Sequence, residues 1–249
     1  MKISVITVCL NSERTIGYTI QSFLDQTWPN KEMLIIDGGS RDRTLEIANS
    51  FPSEQLRVWS EPDRGIYDAM NKGLQFYSGH AVGFLNSDDR FHDSSALDSI
   101  AAGLSEADVV YGDLIFVSDH GSKRVLRTWK AGQYHRRSFQ FGWLPPHPTF
   151  YLRRSLADRV GNFDLNYGSA ADYDFMLRAM HLPDASVCYV PRILVDFQHG
   201  GKSTASISGY ITSNLNCLKS RRRHLRSAPV DIALFVKPLR KLHQFQWRR

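Results

Sequence analysis

Short apolar runs alternate with amphipathic stretches along the first part of the chain. The apolar runs are rich in β-branched residues, as buried strands are, and they predict strands at residues 3–10, 33–36, 56–60 and 81–85. The stretches between them repeat apolar residues at helical spacing and predict helices at residues 15–27, 45–51 and 67–77. Because the links are short, the alternation predicts an α/β fold, in which helices cover both faces of a mostly parallel sheet.

The second half of the chain has a less regular pattern. Three prolines between positions 145 and 148 exclude regular structure around His147, because each proline fixes φ and lacks an N–H donor. Asp119 to Ser122 read as a hairpin turn. The remaining pattern predicts helices at residues 94–104, 155–160 and 172–180, and strands at 109–117 (a pair turning around Gly112 and Asp113), 124–129, 150–152 and 187–195, the last interrupted by Pro191.

Polar side chains follow each strand of the first half, at Asn11, Asp37, Asp63 and Asp88. Parallel strands bring these ends to one edge of the sheet, where open α/β sheets bind ligands. Asp88 stands next to Asp89, and adjacent carboxylates repel one another, which favours a hard divalent cation that bridges to substrate phosphates. The alternative is a solvated loop in which one of the two residues caps the following helix.

Further polar groups could carry chemistry. Residues 37–40, Asp-Gly-Gly-Ser, offer one acceptor and two flexible glycines to a nucleotide, or else form a tight turn. Asp68, Asn71 and Lys72 form a polar helix face, which is either functional or merely solvated. Asp172 and Asp174 open a helix that needs one cap at most, so one of them is a candidate general base.

His147 stands between prolines as either a structural turn residue or a rigidly held site residue.

The overall composition adds little to the assignment of function. With 42% hydrophobic and 22% charged residues, the 249-residue chain is typical of a globular protein. The three cysteines are widely spaced and show no metal or redox pattern, which favours a reducing compartment.

The net charge of +6 is unevenly distributed. Residues 201–249 hold eleven Lys and Arg against the single acidic residue Asp231, whereas residues 1–200 hold 20 basic and 24 acidic residues. In the tail, basic residues alternate with Leu, Phe and Trp, a composition that favours an anionic membrane surface as the partner. No apolar run reaches the roughly 18 residues that a membrane span requires. The alternatives are a helix that packs on the domain, an oligomer contact or, less favoured, nucleic-acid binding.

The ordered motifs resemble the family 2 inverting glycosyltransferases of GT-A (Rossmann-like) fold, over residues 3 to about 203. The run at residues 61–73, Glu-Pro-Asp-Arg-Gly-Ile-Tyr-Asp-Ala-Met-Asn-Lys-Gly, looks especially like bacterial enzymes of exopolysaccharide or lipid-linked glycan assembly, such as the colanic-acid type. The other motifs are residues 5–11 (Val-Ile-Thr-Val-Cys-Leu-Asn), 36–44 (Ile-Asp-Gly-Gly-Ser-Arg-Asp-Arg-Thr), 84–89 (Phe-Leu-Asn-Ser-Asp-Asp) and 171–174 (Ala-Asp-Tyr-Asp).

The resemblance implies a role for each matched residue. Asp37 would recognise the nucleotide base, with Thr7 and Asn11 nearby on the first loop. Asp88 would hold Mn²⁺ or Mg²⁺ on the donor diphosphate, and Asp172 would be the catalytic base. The other donor-binding positions are Gly39, Asp63, Asn71, Asn86 and Ser87.

Three positions depart from the family pattern. Asn86 replaces the first Asp of the metal motif, Gly38 replaces the second Asp after the second strand, and Ala171 replaces the acidic residue before the base. Asn86 and Ala171 leave open a second hypothesis, an inactive module that binds a nucleotide or polyanion, whereas Gly38 bears on the contact with the ribose.

The favoured expectation is a metal-dependent inverting transferase. It would move a sugar from a nucleotide-sugar, UDP-linked by preference, to a glycolipid or polysaccharide acceptor, and would lie peripherally on the inner face of the cytoplasmic membrane, with no nucleic acid as partner. Residues 1–115 would form its nucleotide-sugar half, residues 116–204 its acceptor half, and residues 205–249 a basic, amphipathic and helical tail.

Overall fold

The first half of the chain forms a parallel sheet, as the sequence predicts. The computed structural model describes residues 1–118, 124–198 and 207–225. Neighbouring strands lie in the order β3-β2-β1-β4, and every pair among them is parallel. The strands are β1 (Ile3–Cys9), β2 (Lys31–Asp37), β3 (Leu56–Ser60) and β4 (Ala81–Phe84), and the connecting helices are α1 (Ile16–Leu24), α2 (Thr44–Asn49) and α3 (Ile66–Phe76).

Helices cover this sheet on both faces, because alternate residues of β1 point to opposite sides. Ile6 and Val8 pack in a cluster with Met70 of α3. On the other side, Val5 packs in a second cluster with Ile20 of α1. Every residue of β1 and β2 is buried, as expected of central parallel strands. The α/β fold class is therefore confirmed.

The second half extends the same sheet with strands of mixed direction. The full order is β3-β2-β1-β4-β8-β6-β9-β5, with β7 paired to β6. The pairs of β4 with β8, β8 with β6, β9 with β5 and β6 with β7 are antiparallel, so the sheet is parallel only in part. The added elements are β5 (Arg90–Phe91), α4 (Ala96–Glu106), β6 (Val109–Val117), β7 (Val125–Trp129), β8 (Tyr151–Arg153), α5 (Arg154–Val160), α6 (Ala171–His181), β9 (Val187–Gln198) and α7 (Ile207–Leu225).

One prediction for this half is wrong, because β6 is a single strand and not a pair that turns at Gly112. Glycine is needed there for packing, since a Cβ atom would lie 2.5 Å from the Leu194 side chain. The parallel partner β9 slips at this point, with Val190 opposite Gly112 and Ile193 opposite Asp113. The interruption predicted at Pro191 is therefore a β-bulge. Proline fits at a bulge because it has no backbone N–H to donate to the neighbouring strand. The predicted hairpin turn at 119–122 lies outside the described residues.

Helix α7 packs against α6, so the first part of the basic tail joins the body of the protein. The buried Asp174 carboxylate accepts hydrogen bonds from Ser220 Oγ at 2.8 Å and Arg178 Nε at 2.8 Å, and it contacts His224 Nε2 at 3.1 Å. Arg221 is also buried and donates to the Tyr173 hydroxyl at 3.0 Å. Residues 226–249 lie outside the described part of the chain, and within that part no helix is long and apolar enough to cross a membrane.

Candidate active site

The loops after β1, β2 and β4 are tied together at the carboxyl edge of the sheet. The Asn11 backbone N–H donates to Ser40 Oγ at 2.8 Å, and Asn11 Oδ1 accepts from the Arg41 backbone N–H at 2.9 Å. Asn11 has a φ of 52°, a left-handed conformation that asparagine tolerates better than most residues. Ser12 reaches the third loop, with its Oγ 2.8 Å from Ser87 Oγ. These bonds bring Asn11 and Ser87 to one edge, as predicted.

Asp37 is the last residue of β2, at the start of the second loop, and its carboxylate is fully buried. It accepts hydrogen bonds from the backbone N–H groups of Gly39 (3.1 Å) and Ser40 (3.0 Å), and from the hydroxyls of Ser40 and Ser60. Burial alone would raise the pKa of Asp37, but these hydrogen bonds outweigh it and hold the pKa below its ordinary value. Asp37 thus shapes the loop that carries Gly39, whose φ of 88° favours glycine.

Asp63 explains the glycine at position 38. Its Oδ1 accepts from the Gly65 backbone N–H at 2.7 Å, and its Oδ2 would lie 2.3 Å from a Cβ atom added to Gly38. An aspartate at position 38 cannot coexist with Asp63 in this position. The Asp63 carboxylate after β3 therefore occupies the space that a side chain at position 38 would enter.

The acidic motif after β4 contains one partly buried and one fully buried carboxylate, Asp88 and Asp89. Asp89 accepts from the Gln198 backbone N–H at 3.2 Å and from Asn86 Nδ2 at 3.3 Å. Burial, followed by the charge of Asp88, raises the pKa of Asp89 well above its ordinary range. The interpretation of either residue as the cap of α4 is wrong, because β5 intervenes and α4 begins at Ala96.

The donor set around Asp88 fits a metal ion that is held jointly by protein and substrate. Among the described residues, no group of three or more His, Cys, Asp or Glu side chains could hold an ion by itself. Mg²⁺ needs no such group when one or two carboxylates and substrate phosphates supply its ligands. Asn86 Oδ1 is a buried oxygen that has no hydrogen-bond partner within residues 1–118, 124–198 and 207–225. This neutral oxygen, two residues before Asp88 in the sequence, is a further candidate ligand for a metal ion.

Two residues that were predicted to bind the sugar donor have other surroundings. Thr7 was predicted to lie near the first loop, but it lies inside β1. Its buried hydroxyl has no hydrogen-bond partner among the residues described. Asn71 donates to the Phe163 backbone oxygen at 3.0 Å and accepts from the Phe163 N–H at 2.8 Å. Both polar groups of its side chain are therefore used to fasten α3 to the segment before α6.

Asp172 lies in the first turn of α6 and is partly exposed. Its Oδ1 accepts from the Tyr173 backbone N–H at 2.7 Å, and the positive end of the helix dipole favours its charge. Asp174, by contrast, is committed to the contacts with α7. Ala171 is fully buried in the apolar core, so the family's usual acidic residue at this position would have to enter that core. Of the two candidates for the base, Asp172 is partly exposed and Asp174 is buried.

The sequence analysis left the role of His147 open and did not single out Tyr67, and the charge of Asp172 affects the pKa of both side chains. The His147 ring stacks on Phe84 at a centroid distance of 5.3 Å, and its Nε2 is buried without a partner in the described part of the chain. Burial lowers the pKa of His147, and the charge of Asp172 opposes that shift in part. The Tyr67 hydroxyl donates to the Ser169 carbonyl oxygen at 3.4 Å, and burial, followed by the negative charge of Asp172, raises the pKa of Tyr67 well above its ordinary range.

The chain belongs to glycosyl transferase family 2, whose sequence profile matches residues 4–161, and it is a glycosyltransferase. It is 31% identical to a PGL/p-HBAD biosynthesis glycosyltransferase of Mycobacterium bovis BCG over 211 residues, which are 82% of this chain and 80% of the relative. An uncharacterised glycosyltransferase of Mycobacterium tuberculosis H37Rv is 33% identical over 187 residues, 71% of this chain and 68% of the relative.

Solved structures of glycosyltransferases share the fold. Staphylococcus aureus TarS (residues 1–349) in complex with UDP-GlcNAc has a TM-score of 0.68 at 22% identity, with 94% of this chain and 69% of TarS covered. The mannosyltransferase PcManGT of Pyrobaculum calidifontis, in complex with GDP-Man and Mn²⁺, has a TM-score of 0.67 at 15% identity, with 95% and 68% covered. The chain thus has the GT-A architecture expected from its motifs.

Proposed function

We propose that this chain transfers a sugar from a nucleotide-sugar donor to a hydroxyl acceptor in one inverting displacement. The observation that carries the proposal is the edge at which the loops after β1, β2 and β4 are bonded to one another, with the Asp88 motif on the last of them. The complexes of TarS with UDP-GlcNAc and of PcManGT with GDP-Man support such a donor. We expect a UDP-linked sugar.

In the proposed reaction, Asp172 accepts the proton of the acceptor hydroxyl while that oxygen forms a bond to the anomeric carbon. The bond from the anomeric carbon to the donor phosphate oxygen breaks, and the nucleoside diphosphate leaves with the electron pair. Attack opposite to the leaving group inverts the anomeric configuration.

The donor diphosphate would be held at the edge described above. Asp88, with Asn86 beside it, would bind Mn²⁺ or Mg²⁺, and a divalent ion there would neutralise charge on the departing diphosphate. Gly39, Asp63, Ser87 and the Asn11 loop would surround the nucleotide.

We propose a glycolipid or polysaccharide acceptor of cell-surface glycan synthesis, which the protein meets at the inner face of the cytoplasmic membrane. The exposed face of α7 supports this location. Ile211 and Leu215 are 54% and 55% exposed one turn apart, and Lys219 and Arg222 continue the same face toward the helix end. Apolar and basic residues on one helix face suit an anionic lipid surface.

The test is a titration of the purified chain with UDP and with GDP, with and without Mn²⁺. Wild-type protein should bind one nucleotide tightly only when the metal is present, and Asp88→Ala should lose that metal dependence because it removes the ionised ligand. Asp158→Ala, which removes an exposed carboxylate from α5, is the matched control and should bind as wild type does. Absence of binding to either nucleotide under every metal condition would overturn the proposed donor site.

A further inference from the structure

Asp113 is a nearly buried carboxylate in the middle of β6, and the site described above does not use it. Only 6% of the residue is exposed. Its Oδ1 accepts two hydrogen bonds, from the Ala131 backbone N–H at 2.8 Å and from the Tyr189 hydroxyl at 2.8 Å. Among the described residues, neither a further hydrogen bond nor an ion pair occupies Oδ2. Because a charged group in such a place is costly without donors, Oδ2 calls for one from a ligand.

The strand register places Asp113 at the edge of the sheet that carries the donor loops. Strands β4 and β6 run in the same direction, since both are antiparallel to β8, and Tyr151 of β8 lies between Gly83 and Val110. Asn86 and Asp113 follow these two partners by three residues each, toward the carboxyl ends of their strands. Two strand spacings separate β4 from β6, which is about 10 Å.

Asp113 also lies on the side of the sheet that α6 covers. Side chains alternate along a strand, so Asp113 points the same way as Tyr111. Tyr111 belongs to the apolar cluster that contains the core residues of α6, and Tyr189, the hydroxyl partner of Asp113, stacks on Tyr111 at a centroid distance of 5.3 Å. Asp113 therefore shares its face of the sheet with the helix that begins beside Asp172.

The turn at His147–Thr149 joins the two strands at this level. Thr149 Oγ1 accepts from the Gly112 backbone N–H at 3.2 Å, and the His147 ring stacks on Phe84 at the end of β4. The Nε2 atom of His147 is buried and has no partner in the part of the chain that the structure describes. The stretch between β4 and β6 thus holds a second polar atom that the fold leaves unsatisfied.

We propose that Asp113 is a specificity-determining residue, which accepts a hydrogen bond from a hydroxyl of the transferred sugar through Oδ2. This inference rests on the proposed donor site, in which Asp88 holds the diphosphate to which that sugar is attached. A sugar offers several hydroxyl donors without a charge, which suits a carboxylate oxygen that acts only as an acceptor. A bond of this kind fixes the sugar from the side opposite to the diphosphate and selects for the position of one hydroxyl.

The test compares Asp113→Asn with Asp108→Asn. Asparagine keeps one acceptor oxygen for Ala131 and Tyr189 and replaces the other oxygen by an amide group that donates. Asp108 directly precedes β6, at its opposite end, and one of its carboxylate oxygens accepts from the Ser186 backbone N–H at 3.0 Å and from the Ser186 hydroxyl at 2.6 Å. The control therefore changes a carboxylate that binds the same two kinds of donor, away from the donor edge.

The readout is the Kd of a nucleotide-sugar and of its bare nucleotide, by calorimetry with Mn²⁺ and no acceptor. The ligands are UDP-glucose, UDP-galactose and UDP-GlcNAc if UDP is the nucleotide that binds, or GDP-mannose, GDP-glucose and GDP-fucose if it is GDP. Asp113→Asn should raise the Kd of the sugar that wild type prefers about 10- to 100-fold, because a hydrogen bond to a charged acceptor is lost. The Kd of the bare nucleotide should not change, and Asp108→Asn should change neither constant.

Deoxy analogues of the preferred nucleotide-sugar identify the hydroxyl. Loss of the hydroxyl that Asp113 binds should cost wild type about as much as the substitution does, and should cost Asp113→Asn nothing further, because both changes remove the same bond. If Asp113→Asn does not fold, Tyr189→Phe decides the question. It leaves the carboxylate in place without its hydroxyl donor, and it should weaken discrimination against the same analogue while the Kd of the nucleotide stays constant.

The outcomes separate this inference from the proposed function. Unchanged sugar preference in the tested variant, or an equal loss in Asp108→Asn, would overturn the role of Asp113 and leave nucleotide binding intact. A changed metal dependence of nucleotide binding in Asp113→Asn would place this carboxylate at the metal ion and overturn the role as well. Failure of wild type to bind either nucleotide would overturn the proposed donor site and this inference with it.

Discussion

Gly38 and Asp63 should show strong energetic coupling. In Gly38→Ala, the new Cβ would lie 2.3 Å from Asp63 Oδ2, whereas ordinary contacts begin at 3.4 Å, so the carboxylate must move by about 1 Å. That movement strains or breaks the 2.7 Å bond from the Gly65 N–H. Crowding and the weakened bond together should lower the free energy of unfolding by about 1–3 kcal/mol.

A double-mutant cycle measured by urea unfolding tests this coupling. In an Asp63→Ala background the obstruction is absent, so Gly38→Ala should cost less by about 1–2 kcal/mol. Gly17→Ala in α1 is the matched control. Its Cβ would meet Ile47 at an ordinary 3.6 Å, and alanine in a helix should be neutral or stabilising by up to about 1 kcal/mol. An equal cost of Gly38→Ala in both backgrounds would refute the argument that Asp63 fills the space beside Gly38.

Two further substitutions test contacts away from the donor edge. Asp174→Ala should lower the free energy of unfolding by about 3–5 kcal/mol, because the buried Ser220 hydroxyl loses its acceptor and Arg178 and His224 lose their contact with this buried carboxylate. A loss below about 1 kcal/mol in urea unfolding would contradict the role of Asp174 in holding α7 on α6. Glu32 is buried, which raises its pKa, but hydrogen bonds from Lys2, Ser4 and Ser78 outweigh burial and lower the pKa from 4.5 to about 2. The contribution of the Glu32 carboxylate to the free energy of unfolding is complete above about pH 4.5 and is lost as the pH falls through 2. Over this interval, the free energy of unfolding of the wild type should fall by about 3 kcal/mol more than that of Glu32→Gln. If the free energies of unfolding of the two proteins fall equally with pH, the effect is excluded.

Local patterns were sufficient to predict the first half of the fold, because each strand and helix there has its own periodicity and short links. The same patterns placed Asn11, Asp37, Asp63 and Asp88 at the carboxyl ends of the first four strands. Strand direction in the second half could not be read in this way, since pairing of β4 with β8 depends on contacts some seventy residues apart. A single strand at 109–117 was missed because glycine and aspartate usually mark turns, whereas here the glycine makes room for Leu194.

Side-chain partners distant in sequence account for the remaining differences. Asn71 shares a polar helix face with Asp68 and Lys72, and nothing local shows that its amide binds a backbone 92 residues away. Asp89 resembles Asp88 in sequence, and nothing local shows that Asp89 is buried and accepts a hydrogen bond from the Gln198 backbone N–H, 109 residues away. The bond between Asp37 and Ser60 likewise joins separate motifs.

The position of β4 between β1 and β8 has a consequence for the way the chain folds. The strand is complete at Phe84, yet its second neighbour, Tyr151–Arg153, follows only after more than sixty further residues. Until then, the nascent protein carries an apolar edge strand with unpaired backbone groups, which is a hazard for aggregation. Closing so long a loop is slow, so the pairing of β8 with β4 should be a late step, and the carboxyl edge that carries Asp88 should become rigid only when it is complete.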